Sequence, residues 1–276
     1  MKRAILAAAL ALSSAIDAAH AQAPAYRRVP GDTLRYREVT TGAVEARPAS
    51  GSVTMKTSHD ARIAVTFGAA DTVRAWYEAL AVSIDGPPQG ERRADASALL
   101  GRPYTLVLGP RGEVQTLAVP PIPEALGQVS DLAAQFTDFF PRLPAVPLAP
   151  GATWADTVRH QATNDAGRTV VARRIGSYRV RGDSTVGGER VVVVDLHTDS
   201  EILSGSSTPA APGTASMQSA LQGEETGAFW FAPGTGRLVG RRRSGKLGGT
   251  ITVSGGGRQV VIPQTFTYES RIELLR

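Results

Sequence analysis

Apolar and polar residues alternate with a period of two over long stretches of this chain. Near the C-terminus, Phe266, Tyr268, Ile272 and Leu274 alternate with Thr267, Glu269, Arg271 and Glu273. Successive side chains of a strand point to opposite faces, so this is the pattern of a half-buried β-strand. Thr169 to Arg181 and Glu189 to Asp199 repeat it, with turn residues at Asn164–Gly167, Gly187-Gly188 and Ser254–Gly257. Antiparallel strands joined by short turns follow from this spacing.

Two segments show a different period. Val73, Trp76, Tyr77 and Leu80 stand at i, i+3, i+4 and i+7 behind Asp71, which predicts a capped amphipathic helix over 71–82. Leu126, Val129, Leu132, Ala133, Phe136 and Phe140 predict a second over 124–140, stopped by Pro141, Pro144 and Pro147. Each helix must bury one face, and the sheet is the apolar surface on offer. The expected fold is therefore mainly β: a curved antiparallel sheet or half-barrel with two amphipathic helices packed on its concave face.

Residues 22–140 form an N-terminal half, 141–150 a proline-rich joint, and 151–276 a C-terminal β half. The halves share signals. Pro30-Gly31-Asp32-Thr33-Leu34 parallels Pro150-Gly151-Ala152-Thr153-Trp154, and Leu106–Val114 parallels Phe229–Leu238 at nearly the same offset. These matches point to an internal duplication, or to chance recurrence of Pro/Gly turns. Residues 204–222 are Ser, Thr, Ala, Pro and Gly with little charge, a composition expected of a mobile insertion between strands.

The chain opens with Met1-Lys2-Arg3, an apolar run from Ala4 to Leu12, and Ala19-His20-Ala21. That is the layout of a signal peptide spanning 1–21, cleaved after Ala21 for export to a periplasm or beyond. No later segment reaches the roughly 18 apolar residues that a transmembrane helix needs. Cysteine is absent, which excludes disulfides, a lipid-anchored cysteine, a thiolate nucleophile and cysteine-ligated zinc.

The Gly151-x-Thr153-Trp154 opening, the preceding Phe139–Pro144 segment and the strand-turn-strand Phe231–Leu238 resemble a group of uncharacterised exported bacterial β-proteins. These are similar in layout to periplasmic lipoprotein-carrier half-barrels. The resemblance spans most of the chain, in turn and strand motifs. It implies a half-barrel fold and a concave apolar cavity, and carries no catalytic residue.

Candidate chemistry is sparse. Asp195, His197 and Asp199 share one strand face, where alternate residues about 6–7 Å apart can reach one metal ion; an exposed polar face is the plainer alternative. Gly240–Lys246 matches part of a phosphate-binding loop, but Leu247 replaces the hydroxyl residue such a loop needs. No Gly-x-Ser-x-Gly elbow is present. Arg237, Arg241, Arg242, Arg243 and Lys246 form a candidate patch for anionic surfaces, and the formal net charge is +5. Interleaved aromatics that would stack bases are missing there, which argues against nucleic acid. Trp76, Tyr77, Leu80, Phe136 and Phe140 are cavity-lining candidates, or simply core.

The expectation is an exported, non-catalytic binding or carrier protein for an apolar or lipid-like ligand, or for an exported polypeptide, with no cofactor. The alternatives are an envelope scaffold that binds a protein partner without a ligand cavity, and a hydrolase whose site the sequence does not reveal.

Overall fold

The computed structural model describes residues 23–27, 29–69, 71–123, 126, 132–163, 168–206, 216–255 and 258–276. The predicted signal segment 1–21 and the turns at 164–167 and 256–257 lie outside them.

One antiparallel sheet of twelve strands accounts for the fold. In chain order these are β1 (Thr33–Ala46), β2 (Val53–Phe67), β3 (Thr72–Asp85), β4 (Arg92–Ala94), β5 (Tyr104–Leu108), β6 (Val114–Ala118), β7 (Thr153–Thr163), β8 (Arg168–Val186), β9 (Glu189–Ser206), β10 (Ser216–Ala232), β11 (Arg237–Gly255) and β12 (Arg258–Leu275). The spatial order is β6-β5-β3-β2-β1-β12-β11-β10-β9-β8-β7, with β4 beside β3. Two five-strand meanders thus lie side by side in the same order. β12 returns between them to pair with β1, which makes the sheet continuous.

The repeated motifs occupy matching places. Gly31 and Gly151, both at positive φ, turn the chain into β1 and β7. Gly31 N donates to Phe67 O and Gly151 N to Val180 O, each at 2.9 Å. Phe67 N and Val180 N return bonds to Asp32 O and Ala152 O. The second pair of motifs forms the β5–β6 and β10–β11 hairpins. Residues 26–27 lace the two hairpin turns together, Tyr26 N donating to Pro110 O and Arg27 N to Gly236 O.

The sheet is curled. Phe136 stacks edge-on against Tyr104 of β5 at 4.8 Å, while Asp138 bonds Arg174 of β8. Those strands are eight places apart in the sheet, about 38 Å if it lay flat. Two residues of one chain cannot span that distance, so the sheet must wrap around the segment that carries them.

Among the described residues no amphipathic α-helix packs on the inner face, which corrects the predicted α+β architecture; Ser97–Leu99 forms a single 3-10 turn. Residues 72–85 form β3, with Val73, Ala75 and Tyr77 buried and Arg74, Trp76 and Glu78 turned the other way. A bulge opposite Arg62/Ile63 then inserts one residue, so that Leu80 and Val82 return to the core side. The bulge stretches the apolar spacing from two to three and so imitates a helical period. Asp71 stands in the β2–β3 turn at φ 64°, where its backbone carbonyl accepts from Leu108 N at 3.0 Å.

The second predicted helix, 124–140, is described only at 126 and 132–140, and 132–140 consists of turns and bends. Its backbone bonds run from i+3 to i: Gln135 to Leu132, Thr137 to Ala134 and Phe139 to Phe136. This irregular path aims Leu132, Phe136, Phe139, Phe140 and Leu143 into one core with residues from both meanders. The proline-rich stretch continues it, with Pro141 and Pro144 buried. Residues 204–206 and 216–222, expected in a mobile insertion, belong to β9 and β10; 207–215 lie outside the described residues.

Candidate ligand-binding face

Strand alternation splits the arginine cluster of β11. Arg241 and Arg243 turn inward, and exposed Arg242 lies 5.7 Å from the Trp230 ring. Arg237 pairs with Asp32 at 2.9 Å, and Lys246 is exposed beside Glu224. These five residues therefore do not form one patch.

The inward arginines belong to a buried belt of charge. Asp138, on the segment filling the curl, accepts from Arg174 Nη1 at 2.7 Å and from Arg243 Nη1 at 2.6 Å. Arg241 donates to the Asp138 backbone carbonyl. Glu225 accepts from Ser200 Oγ at 2.5 Å, and Arg174 and Arg243 approach it to 3.6 and 3.8 Å. Gln135 donates to Glu38, which is 5% exposed.

The belt sets its own protonation. Burial pushes the Glu38 carboxyl up to about 7, against the pull of Arg241 and Arg243. Burial alone would also raise Asp138, but Arg243, Arg174 and Arg241 overcome it and hold that carboxyl far below its usual range. The same contest ends below the ordinary value at Glu225, where Arg174 and Arg243 prevail. Between the filling segment and β8 lies a cleft of about 40 Å³.

The belt divides the inner face in two. On one side lies the filled aromatic core, where Tyr77, Phe136 and Phe140 are buried and Leu80 packs at the edge. Four of the five cavity-lining candidates thus occupy packed core, and Trp76 lies on the opposite face.

On the other side the strands run on, and their inward positions turn apolar again. Register places Val44, Phe266 and Leu247 in one row across β1, β12 and β11, and Leu221 and Ile202 in the next across β10 and β9. Ile262 and Ile251 follow one row further out. Leu247 is buried at 1% exposure, while the other six are only partly buried and lie outside the hydrophobic core. Gln264 is the polar member, and it donates to Ser219 Oγ at 2.7 Å across Gly249. A Cβ at Gly249 would stand 1.9 Å from Ala220 O, so only glycine allows that close approach of β10 and β11.

On the outer face, Asp195 is held by Arg181 rather than joining a metal trio. His197 and Asp199 instead have Glu224 as their neighbour, with ligand atoms within 4.8 Å of one another. The cross-strand pairing Glu224↔Asp199 supplies the third group, which a single-strand pattern cannot reveal.

No family model matches the chain, and no curated protein matches it. Among solved structures, one described as lipid-protein interactions in lipovitellin superposes with a TM-score of 0.50 at 10% identity. The alignment covers 91% of this chain and 26% of that one. The likeness is one of fold. Two Pseudomonas aeruginosa structures, OccK2 (OpdF) and OccD3 (OpdP), align at 8% identity with TM-scores of 0.23 and 0.25. They cover 90% and 92% of this chain, and 100% and 95% of their own.

Proposed function

We propose that this chain is an exported, non-catalytic binder of apolar, lipid-like ligands, and that the outer half of its inner face is the seat. The observation that carries this is the apolar surface beyond the charge belt, around Val44, Leu221, Ile251 and Phe266, left outside the core of a curled sheet. Apolar side chains arranged on a concave surface favour a ligand that removes them from water. The fold shared with lipovitellin, a protein described through its lipid interactions, supports the same ligand class. Ligand burial against the sheet would be the whole mechanism, with no moving helix.

Native mass spectrometry of residues 22–276, purified from periplasm without detergent and then offered a fluorescent palmitate analogue, tests it. A discrete lipid-sized adduct, or saturable uptake of the analogue lost in Leu221→Asp, is the expected result. A bare mass together with no uptake would overturn the proposal and favour a scaffold that works through protein partners.

A further inference from the structure

The far rim of the sheet breaks the rule that made its strands legible. In water, an antiparallel sheet buries one face and keeps the other polar. At the start of β12, Val260 and Val261 are consecutive, so their side chains project to opposite faces. They are 54% and 55% exposed. The same holds across neighbouring strands. Met217 of β10 lies on the inner face with Val260, both pairing through Val253. Leu203 of β9 and Val171 of β8 are cross-strand partners on the outer face, on the same side as Val261. Met217, Leu203 and Val171 are 48%, 45% and 39% exposed.

We infer that this rim inserts into the interfacial layer of a lipid bilayer. Apolar groups on one face alone would suit a ligand, a protein partner or a second copy, each of which covers one side. Apolar groups on both faces of the same strand ends need a medium that surrounds the edge, and a bilayer interface is such a medium. Exposed Arg258 is the first residue of β12, two positions beyond Val260 at the tip of the rim, and its cation can pair with lipid phosphates. The inference is tested independently of the ligand proposed above, because the outer-face residues Leu203, Val171 and Val261 are ones that no ligand on the inner face would touch.

Flotation of the purified protein with vesicles of phosphatidylethanolamine and phosphatidylglycerol tests it. The decisive variant is the outer-face pair Leu203→Asp/Val261→Asp, which leaves the inner face unchanged. A milder pair, Leu203→Ser/Val261→Ser, guards against misfolding, and circular dichroism checks both. The wild-type protein is expected to float with the vesicles, and the outer-face variants to lose binding by about tenfold or more. Uptake of the palmitate analogue by those variants should be unchanged if the proposed ligand site is correct. Loss of uptake in every form, with flotation still dependent on the outer face, would sink the ligand proposal and leave this one standing. The inference is overturned if wild-type protein does not float, or if folded outer-face variants float equally well. A concentration-dependent dimer in light scattering that the outer-face pair abolishes, with no flotation, would assign the rim to a second copy instead.

Discussion

Arg243 Nη1 lies 2.6 Å from Asp138 Oδ2, and through this contact β11 grips the segment that fills the curled sheet. Arg174 of β8 reaches the same carboxylate oxygen at 2.7 Å. Asp138→Ala would leave these guanidinium groups buried without their main counter-charge. A stability loss of about 3–5 kcal/mol is expected in chemical denaturation. Removing Asp32, the half-exposed partner of Arg237, should cost about 1 kcal/mol or less. Equal losses in the two variants would contradict a buried, structure-bearing belt.

Glu38 and His59 give the protein two opposed pH dependences. Burial raises the folded Glu38 carboxyl from 4.5 to about 7, so the folded state holds an extra proton in that window. Stability from this group therefore falls as pH rises from about 4.5 to about 7. Burial lowers His59 from 6.5 to about 4, so its contribution rises with pH over that range and is lost on acidification. Glu38→Gln should remove the falling component, leaving unfolding free energy that climbs between about pH 4 and 6.5. Denaturant titrations at several pH values check this; a variant curve parallel to the wild type would exclude Glu38 as the source.

Gly249→Ala should force β10 and β11 apart, because its Cβ would meet Ala220 O at 1.9 Å. Overpacking against a backbone atom is expected to cost about 1–3 kcal/mol. Gly248 is the matched control, with nothing within 4 Å of its Cβ position. Thermal melts of the two alanine variants should differ clearly, and the palmitate analogue should bind more weakly to the Gly249 variant.

Tyr26 ties the start of the described chain to both meanders. Its ring packs edge-on against Phe140 at 5.3 Å and Phe231 at 5.5 Å, and its hydroxyl donates to Pro141 O at 2.9 Å. Tyr26→Phe should cost about 1 kcal/mol for the hydrogen bond, and Tyr26→Ala about 3–5 kcal/mol for the lost packing. Chemical denaturation separates the two; a Tyr26→Ala cost no larger than that of Tyr26→Phe would show that the ring carries no packing.

The strands with unbroken alternation were legible directly. β12 reads its faces off Phe266, Tyr268, Ile272 and Leu274, and the β9 and β8 patterns work likewise. β3 was not, because one bulged residue turned a strand period into a helical one between Tyr77 and Leu80. The charge belt left a faint trace: Asp138 interrupts an aromatic run, and Arg241-x-Arg243 repeats at strand spacing. Reading the five basic residues as one patch ignored that alternation, which sends Arg242 out and its two neighbours in.

The sequence by itself determined which residues alternate, where the chain turns, and that Pro-Gly-x-Thr recurs at the head of each meander. Those are local properties, set by side-chain sterics and backbone freedom within a few residues. Only the tertiary structure decided that β12 joins the two meanders, that Asp138 meets Arg174 and Arg243, and that apolar positions beyond the belt stay outside the core. The first is a pairing of strands far apart in the chain. The contacts of Asp138 depend on the curl of the sheet, which brings strands eight places apart onto one short segment. Contacts over that separation leave no periodic mark in the chain.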